Sequence, residues 1–242
     1  MKLKFLMLSC FILITSCNQD KPVTVKPVEG HGDEEIGFTL KIENISKEDT
    51  IKLVNKKEKI SLLSGAWSVY EKENPFYKLG NKISTDGFES IIEDGDTSKF
   101  LPILAKKDGV KLAERFDSIN IGESKEIKFK AKYGTKFSFV TMLNQSNDAF
   151  YSTEIELFDP KDKEPVKGDF TTSVKLYDAG SEVNQKLGEG DAQPPRQKTV
   201  NFGNTENEVV KLISDVKDGF EYPKTEEVLK ITLTNDDVHD KK

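Results

Sequence analysis

The chain has 242 residues, of which 36% are hydrophobic, and 42 acidic residues outnumber 36 basic ones to give a formal net charge of −6. This negative charge argues against nucleic acid as a partner and against electrostatic adsorption to anionic lipid. The hydrophobic content is enough for a folded core without being membrane-like.

The N-terminus predicts a lipoprotein signal over residues 1–16. Lys2 and Lys4 precede an apolar run of about ten residues, which is too short for a helix to span a bilayer of about 30 Å. A cysteine directly after the small residues Thr15 and Ser16 is what lipobox processing requires, so Cys17 is predicted to be lipidated. The alternative is an ordinary secretory signal with an incidental cysteine. Export is implied in both cases.

Lipidation of Cys17 would anchor the protein to a bacterial membrane by acyl chains, in the outer membrane or at the cell surface. Removal of the signal reduces the 36 basic residues to 34 against 42 acidic ones, a mature charge of −8. Residues 17–35 contain four proline or glycine residues and no apolar periodicity, which predicts a linker after the lipidated cysteine. A domain is expected at residues 36–234, followed by a polar tail at 235–242.

Hydrophobic periodicity predicts a mostly β domain with a helical insertion. Alternation of apolar and polar residues predicts strands at 36–45, 127–131 and 136–143, the last two joined by a hairpin turn. Further strands are expected at residues 60–70, 153–158, 171–177 and 227–234. Apolar residues recur at helical spacing between residues 86 and 107, which predicts two short helices.

Three acidic residues follow predicted strands. Asp148 and Asp178 lie in the loops after two strands, and Gly180 lets the backbone turn so that Glu182 can approach Asp178. Calcium takes about 6–8 oxygen ligands, and three carboxylates would overcompensate its charge by one unit. These acids are therefore candidate calcium ligands. The alternative is that they are solvated loop acids, which are common in so acidic a chain.

Other candidate sites have weaker support. Glu93, Asp94 and Asp96 lack the spacing of a helix–loop–helix calcium site and are expected beside the helices, away from the three loop acids. His31 and His239 fall in the predicted linker and tail, so a histidine-based triad or zinc site has no credible members. A carboxylate pair for glycoside hydrolysis stays open, although no residue singles one out.

Four motifs in order resemble the spondin domain, the N-terminal module of the F-spondins and mindin that also occurs alone in bacterial exported proteins. They are GAWSVY at 65–70 with PFYKLG at 75–80, GFESIIEDGD at 87–96, FSFVTMLNQSNDAF at 137–150, and LYDAGSEVN at 176–184 with QPPRQ at 193–197. The resemblance covers residues 36–233. It implies an antiparallel β-sandwich with a calcium ion held by loops at one end.

The resemblance carries the calcium-ligand role over to Asp148, Asp178 and Glu182, although animal members usually have aspartate at the position of Glu182. Those animal members are extracellular adhesion and recognition modules. The first hypothesis is therefore a non-enzymatic, envelope-anchored module that binds an extracellular protein or glycan. The alternative is an envelope glycan hydrolase with structural calcium, for which a cleft should gather two carboxylates away from the calcium site. A structural component of a surface assembly is a third hypothesis.

Overall fold

The computed structural model describes residues 34–53, 59–84 and 87–236. The predicted signal, Cys17, the linker through residue 33 and residues 237–242 lie outside the described residues. The strands are β1 (Ile36–Asn44), β2 (Gly65–Tyr70), β3 (Val110–Phe116), β4 (Ser124–Ala131), β5 (Lys136–Met142), β6 (Ala149–Glu156), β7 (Gly168–Asp169), β8 (Lys175–Asp178), β9 (Lys211–Leu212) and β10 (Leu229–Asn235). The α-helices are α1 (Phe88–Asp94), α2 (Leu101–Leu104) and α3 (Thr225–Val228), and 3-10 turns occur at Thr171–Ser173 and Ile213–Asp215.

The strands form two antiparallel sheets. One has the order β4-β1-β10-β7 and the other β3-β2-β5-β6-β8-β9. In the first sheet, Leu40 of β1 lies opposite Ile127 of β4 on one side and Leu233 of β10 on the other. The first and last strands of the domain are therefore neighbours, and the predicted antiparallel, mostly β sandwich is confirmed.

Aromatic side chains connect the two sheets. Alternate residues of β1 are buried from Ile36 to Asn44, as the period-two pattern predicted. Phe129 of β4 stacks on Phe137 of β5 with ring centroids 5.0 Å apart. Trp67 of β2 also stacks on Phe137, with ring centroids 5.8 Å apart. Because Phe129 and Phe137 come from different sheets, this stack forms part of the core between them.

The helical insertion covers the outer face of the six-stranded sheet. Strands β2 and β5 are buried along almost their whole length, so both of their faces are covered. Phe88 of α1 packs edge-on against Phe150 of β6 at 5.9 Å and lies 5.3 Å from Phe100, which precedes α2. A second apolar cluster therefore lies outside the sandwich. No helix in the described part of the chain is long and apolar enough to cross a membrane.

Several elements differ from the sequence prediction. Strand β3 was not predicted, because it lies at a sheet edge and its exposed charged residues leave no regular alternation. The predicted strand at 171–177 begins as a 3-10 turn, and the segment expected to start a strand at Glu227 starts as α3. Asn235, expected in the tail, ends β10, and its Nδ2 donates to the Pro165 carbonyl at 3.0 Å.

Candidate metal centre

Asp148 and Asp178 lie at the ends of neighbouring strands. Asp148 immediately precedes β6 and Asp178 ends β8, and Ala149 is opposite Asp178 in the strand pairing. Both side chains are buried, with 0% and 2% of the residue surface exposed. The fold therefore places two acids that are 30 residues apart in sequence at the same end of the six-stranded sheet.

The Asp148 carboxylate organises the turn that follows β8. Its Oδ2 accepts hydrogen bonds from the Ser181 amide at 2.9 Å, the Ser181 hydroxyl at 3.1 Å and the Glu182 amide at 3.0 Å. Gly180 has φ +68°, and a Cβ there would lie 2.8 Å from the Glu208 carbonyl carbon. Asp148 Oδ1 is buried and has no hydrogen-bond partner. The turn thus satisfies one oxygen of this carboxylate and leaves the other unpaired.

Asp178 and Glu182 are held by other partners. Asp178 Oδ1 accepts from the Gly180 amide at 2.7 Å, and its Oδ2 accepts from Asn184 Nδ2. Glu182, 4% exposed, accepts from the Gly203 amide at 3.0 Å through Oε1 and from Asn147 Nδ2 at 3.3 Å through Oε2. All four oxygens already accept hydrogen bonds, although each carboxylate oxygen has further lone-pair capacity.

Burial dominates the electrostatics of these acids. It raises the pKa of Asp148 well above the ordinary aspartate value, and the neighbouring Asp178 raises it further. Burial likewise raises the pKa of Asp178 and of Glu182, against the opposing effect of their hydrogen bonds. Removal from water and mutual repulsion therefore both disfavour the ionised forms of this cluster.

Glu93 also belongs to this acid cluster, so the prediction that it lies away from the loop acids is wrong. It is in the last turn of α1 and is 3% exposed, and its Oε1 has no hydrogen-bond partner. Burial raises the pKa of Glu93 to about 8; an interaction with Ser181 opposes this rise, and the charges of Glu182 and Asp148 add to it. The helical insertion thus adds a carboxyl group to the loop end.

Asp94 and Asp96, which follow Glu93 in the motif at residues 87–96, occupy different positions from Glu93. Asp94 Oδ1 accepts a hydrogen bond from Gln197 Nε2 at 2.7 Å, and the charge of Asp94 contributes to the raised pKa of Glu182. Asp94 thus ends α1, beside the helices as predicted, and its charge acts on one of the loop acids. Asp96 Oδ1 accepts from the Ser98 amide at 2.9 Å, which is the amide-accepting role expected for a residue before a helix.

The donor chemistry suits a hard cation, because Asp148 Oδ1 is a buried carboxylate oxygen with no hydrogen-bond partner and oxygen is the ligand that calcium prefers. However, the described residues contain no group of three or more histidine, cysteine, aspartate or glutamate side chains placed to hold a metal ion. The structure brings Asp148 beside Asp178 and turns the Glu182 carboxylate towards Asn147 and Gly203. The assignment of all three as calcium ligands stays a prediction.

A cavity of about 910 Å³ adjoins this loop end. Its walls come from residues 45–53, 186–187 and 219–227. Directly before Lys186, the Gln185 amide donates to Asn147 Oδ1 at 3.1 Å, and the Gly188 amide donates to the Gln145 carbonyl at 2.9 Å. One wall of the cavity is thus hydrogen-bonded to the loop that carries Asp148. No pattern in the sequence predicts this cavity.

No family model matches this chain, and no curated protein matches it in sequence. The resemblance to spondin domains therefore stays a prediction that rests on the four motifs.

Proposed function

We propose that this chain is a calcium-stabilised β-sandwich, displayed on the bacterial envelope by lipidated Cys17, that binds an extracellular protein or glycan. One observation supports calcium binding above all. Asp148 is fully buried beside Asp178, and its Oδ1 has no hydrogen-bond partner. A buried carboxylate oxygen without a partner costs free energy unless a cation or a proton compensates it.

A divalent cation compensates this cluster better than protons do at neutral pH. Two adjacent carboxylates repel each other, and each would need its own proton, whereas one divalent ion neutralises two charges. Asp148, Asp178 and Glu182 would hold the ion, with carbonyl, amide or water oxygens completing the shell that calcium requires. When bound, the ion would supply the positive charge that fixes the turn after β8. To coordinate the ion, the Glu182 carboxylate would give up part of its present hydrogen bonding to Gly203 and Asn147.

The membrane attachment in this proposal rests on acyl chains alone. The mature charge of −8 does not favour anionic lipid, so no electrostatic adsorption is needed or expected. A flexible linker of about 17 residues has a root-mean-square reach on the order of 20–25 Å, which would hold the domain clear of the lipid headgroups. Such a tether suits a module that contacts partners outside the membrane.

The cavity supports a second candidate, an envelope glycan hydrolase, because four acidic residues line it: Asp49, Glu221, Glu226 and Glu227. We favour binding for two reasons. Glu227 is already committed, since its Oε2 accepts from the Lys224 amide at 3.1 Å. A glycosidase also needs a carboxylic acid kept protonated by an apolar setting, and the buried carboxyl groups of that kind, Glu93 and Asp148, are not in the cavity wall.

Thermal unfolding of the mature chain in calcium and in chelator tests the calcium site. An ion that binds only the folded chain adds RT ln(1 + [L]/Kd), about 2.7 kcal/mol at a hundredfold excess over Kd. Asp148→Asn should abolish the calcium-induced rise in melting temperature. Asp162→Asn is the matched control, because this exposed aspartate follows the opposite end of β6. Equal melting temperatures of the metal-free wild type in calcium and in chelator would refute the proposal.

A further inference from the structure

We propose that the cavity bounded by residues 45–53, 186–187 and 219–227 binds a neutral, hydroxyl-rich sugar chain. This inference deepens the binding-module proposal and rests on it. The volume of about 910 Å³ falls within the range of about 300–1,000 Å³ that is usual for ligand pockets. The cavity is therefore large enough for several sugar rings.

Two aromatic rings in one wall offer apolar surface to such a ligand. Phe220 and Tyr222 line the cavity and are both half-buried. Aromatic rings combine a large apolar face with little conformational entropy to lose, and the carbon-bound hydrogens of a pyranose ring form a complementary apolar face. Because these rings lie in an irregular segment between β9 and α3, no regular strand or helix dictates their positions.

Asp218 pre-organises this aromatic wall. Its Oδ1 accepts from the Phe220 amide at 2.8 Å, and its Oδ2 accepts from the Tyr222 hydroxyl at 2.8 Å. One side chain thus fixes the backbone at the first ring and the position of the second. A wall that is ordered before binding loses less entropy when the ligand arrives.

Most charged groups of the cavity are available to a ligand. Within the described part of the chain, no hydrogen bond or ion pair engages the carboxylates of Asp49, Glu221 and Glu226 or the ammonium groups of Lys47 and Lys52. Carboxylates accept hydrogen bonds from sugar hydroxyls, and ammonium groups donate to them. The cavity therefore offers both partners that a hydroxyl-rich ligand needs.

The charge balance of the wall favours a neutral ligand. Three lysines and four acidic residues line the cavity, so the signs nearly cancel. A strongly charged ligand would meet like charges as often as opposite ones, and like-charge contacts weaken binding. A sulfated glycan or a highly charged peptide therefore fits this cavity less well than a neutral sugar.

Isothermal titration of the mature chain with neutral hexasaccharides tests the inference. The probes are β-1,4-linked glucose, N-acetylglucosamine and mannose and α-1,4-linked glucose, with a heparin hexasaccharide for comparison. At least one neutral probe should bind, and more tightly than heparin. Tyr222→Ala and Phe220→Ala should each weaken that binding by about tenfold or more. Tyr133→Ala, at a half-buried tyrosine that does not line the cavity, should leave it unchanged.

Three results would overturn the inference: no binding of any neutral probe to the wild type, stronger binding of heparin, or unchanged binding by both aromatic variants. If Tyr222→Ala unfolds the domain, Glu221→Gln replaces it, because that side chain is exposed and should still weaken binding. The sugar should be recovered at full length, and shortened products would replace this proposal with hydrolysis. Melting curves of the same samples in calcium and in chelator test the calcium site separately, because calcium binding and sugar binding can each fail alone.

Discussion

The space between the two sheets and the loop end around Asp148 are both buried, but burial has opposite effects in them. Leu40 and Ile42 between the sheets are apolar and fully buried, so their removal from water stabilises the fold. At the loop end, burial removes Asp148 and Glu93 from water and leaves one oxygen of each without a partner. The first region specifies the fold, and the second is where a bound ion can add most stability.

Truncation in the sheet core should give the largest loss of stability. Leu40→Ala leaves a cavity at a fully buried position in the middle of β1, and we expect a cost of about 2–5 kcal/mol in the free energy of unfolding. Leu79→Ala, at a leucine that is 55% exposed, should change it by less than about 0.5 kcal/mol. Chemical denaturation measures both.

Substitutions in the core between the sheets and at the loop end should differ in their effect on the calcium response. Leu40→Ala should keep the calcium-induced rise in melting temperature, because Leu40 belongs to the four-stranded sheet and its substitution leaves the carboxylates at the ends of β6 and β8 intact. Loss of that rise in Leu40→Ala, together with its retention in Asp148→Asn, would reverse the roles assigned to the two regions.

Straining the turn after β8 should give an intermediate effect. Gly180→Ala combines a positive φ of +68° with a Cβ 2.8 Å from the backbone of Glu208, so we expect a loss of about 1–3 kcal/mol. Gly134→Ala is the control, because that residue also has a positive φ, +86°, but open space around its Cβ position. Denaturation should find Gly180→Ala the more costly of the two and should also find its calcium response reduced. Equal losses would mean that the turn can move aside.

Much of this arrangement could be predicted from the sequence, and the exceptions share a cause. The placement of Asp148 and Asp178 near strand ends followed from period-two alternation, because a strand end is a local feature. Asp178, predicted in the loop after its strand, is instead the last residue of β8. Glu93 was misplaced because its position depends on α1 folding back over β5 and β6, which no local pattern encodes. The available signal was that Glu93 directly follows Ile91 and Ile92, the apolar residues of a short helix. The cavity was missed since its walls come from three distant segments.

Removing the Glu93 carboxylate should stabilise the metal-free domain at alkaline pH. Its pKa is raised from 4.5 to about 8, so the folded state keeps a proton that the unfolded chain releases. Stability should therefore fall as pH rises between these values. Glu93→Gln should weaken this fall and gain about 1 kcal/mol at pH 8, with little change near pH 4.5. Glu114→Gln, at an exposed glutamate of β3 that is not among the charges acting on Glu93, is the control.

Denaturation in chelator at pH 4.5 and pH 8 measures this effect. The other buried acids, Asp148 and Asp178, should leave part of the pH dependence in Glu93→Gln, because burial raises their pKa values as well. If the stability of Glu93→Gln falls as steeply with rising pH as that of the wild type, the Glu93 carboxyl group is not a source of the pH dependence.

Loss of the predicted lipid anchor should have the smallest effect on either region. Cys17 lies outside the described residues, and a linker would separate it from β1, so Cys17→Ala should leave both the unfolding free energy and the calcium response of the folded domain unchanged. The same substitution should release the protein from membranes, because the acyl chains are the attachment that the sequence predicts. Cell fractionation with labelled fatty acid measures this, and Ser16→Ala, a small residue for a small residue, is the control. Continued membrane association and acylation of Cys17→Ala would refute the lipoprotein prediction and leave the comparison between core and loop end intact.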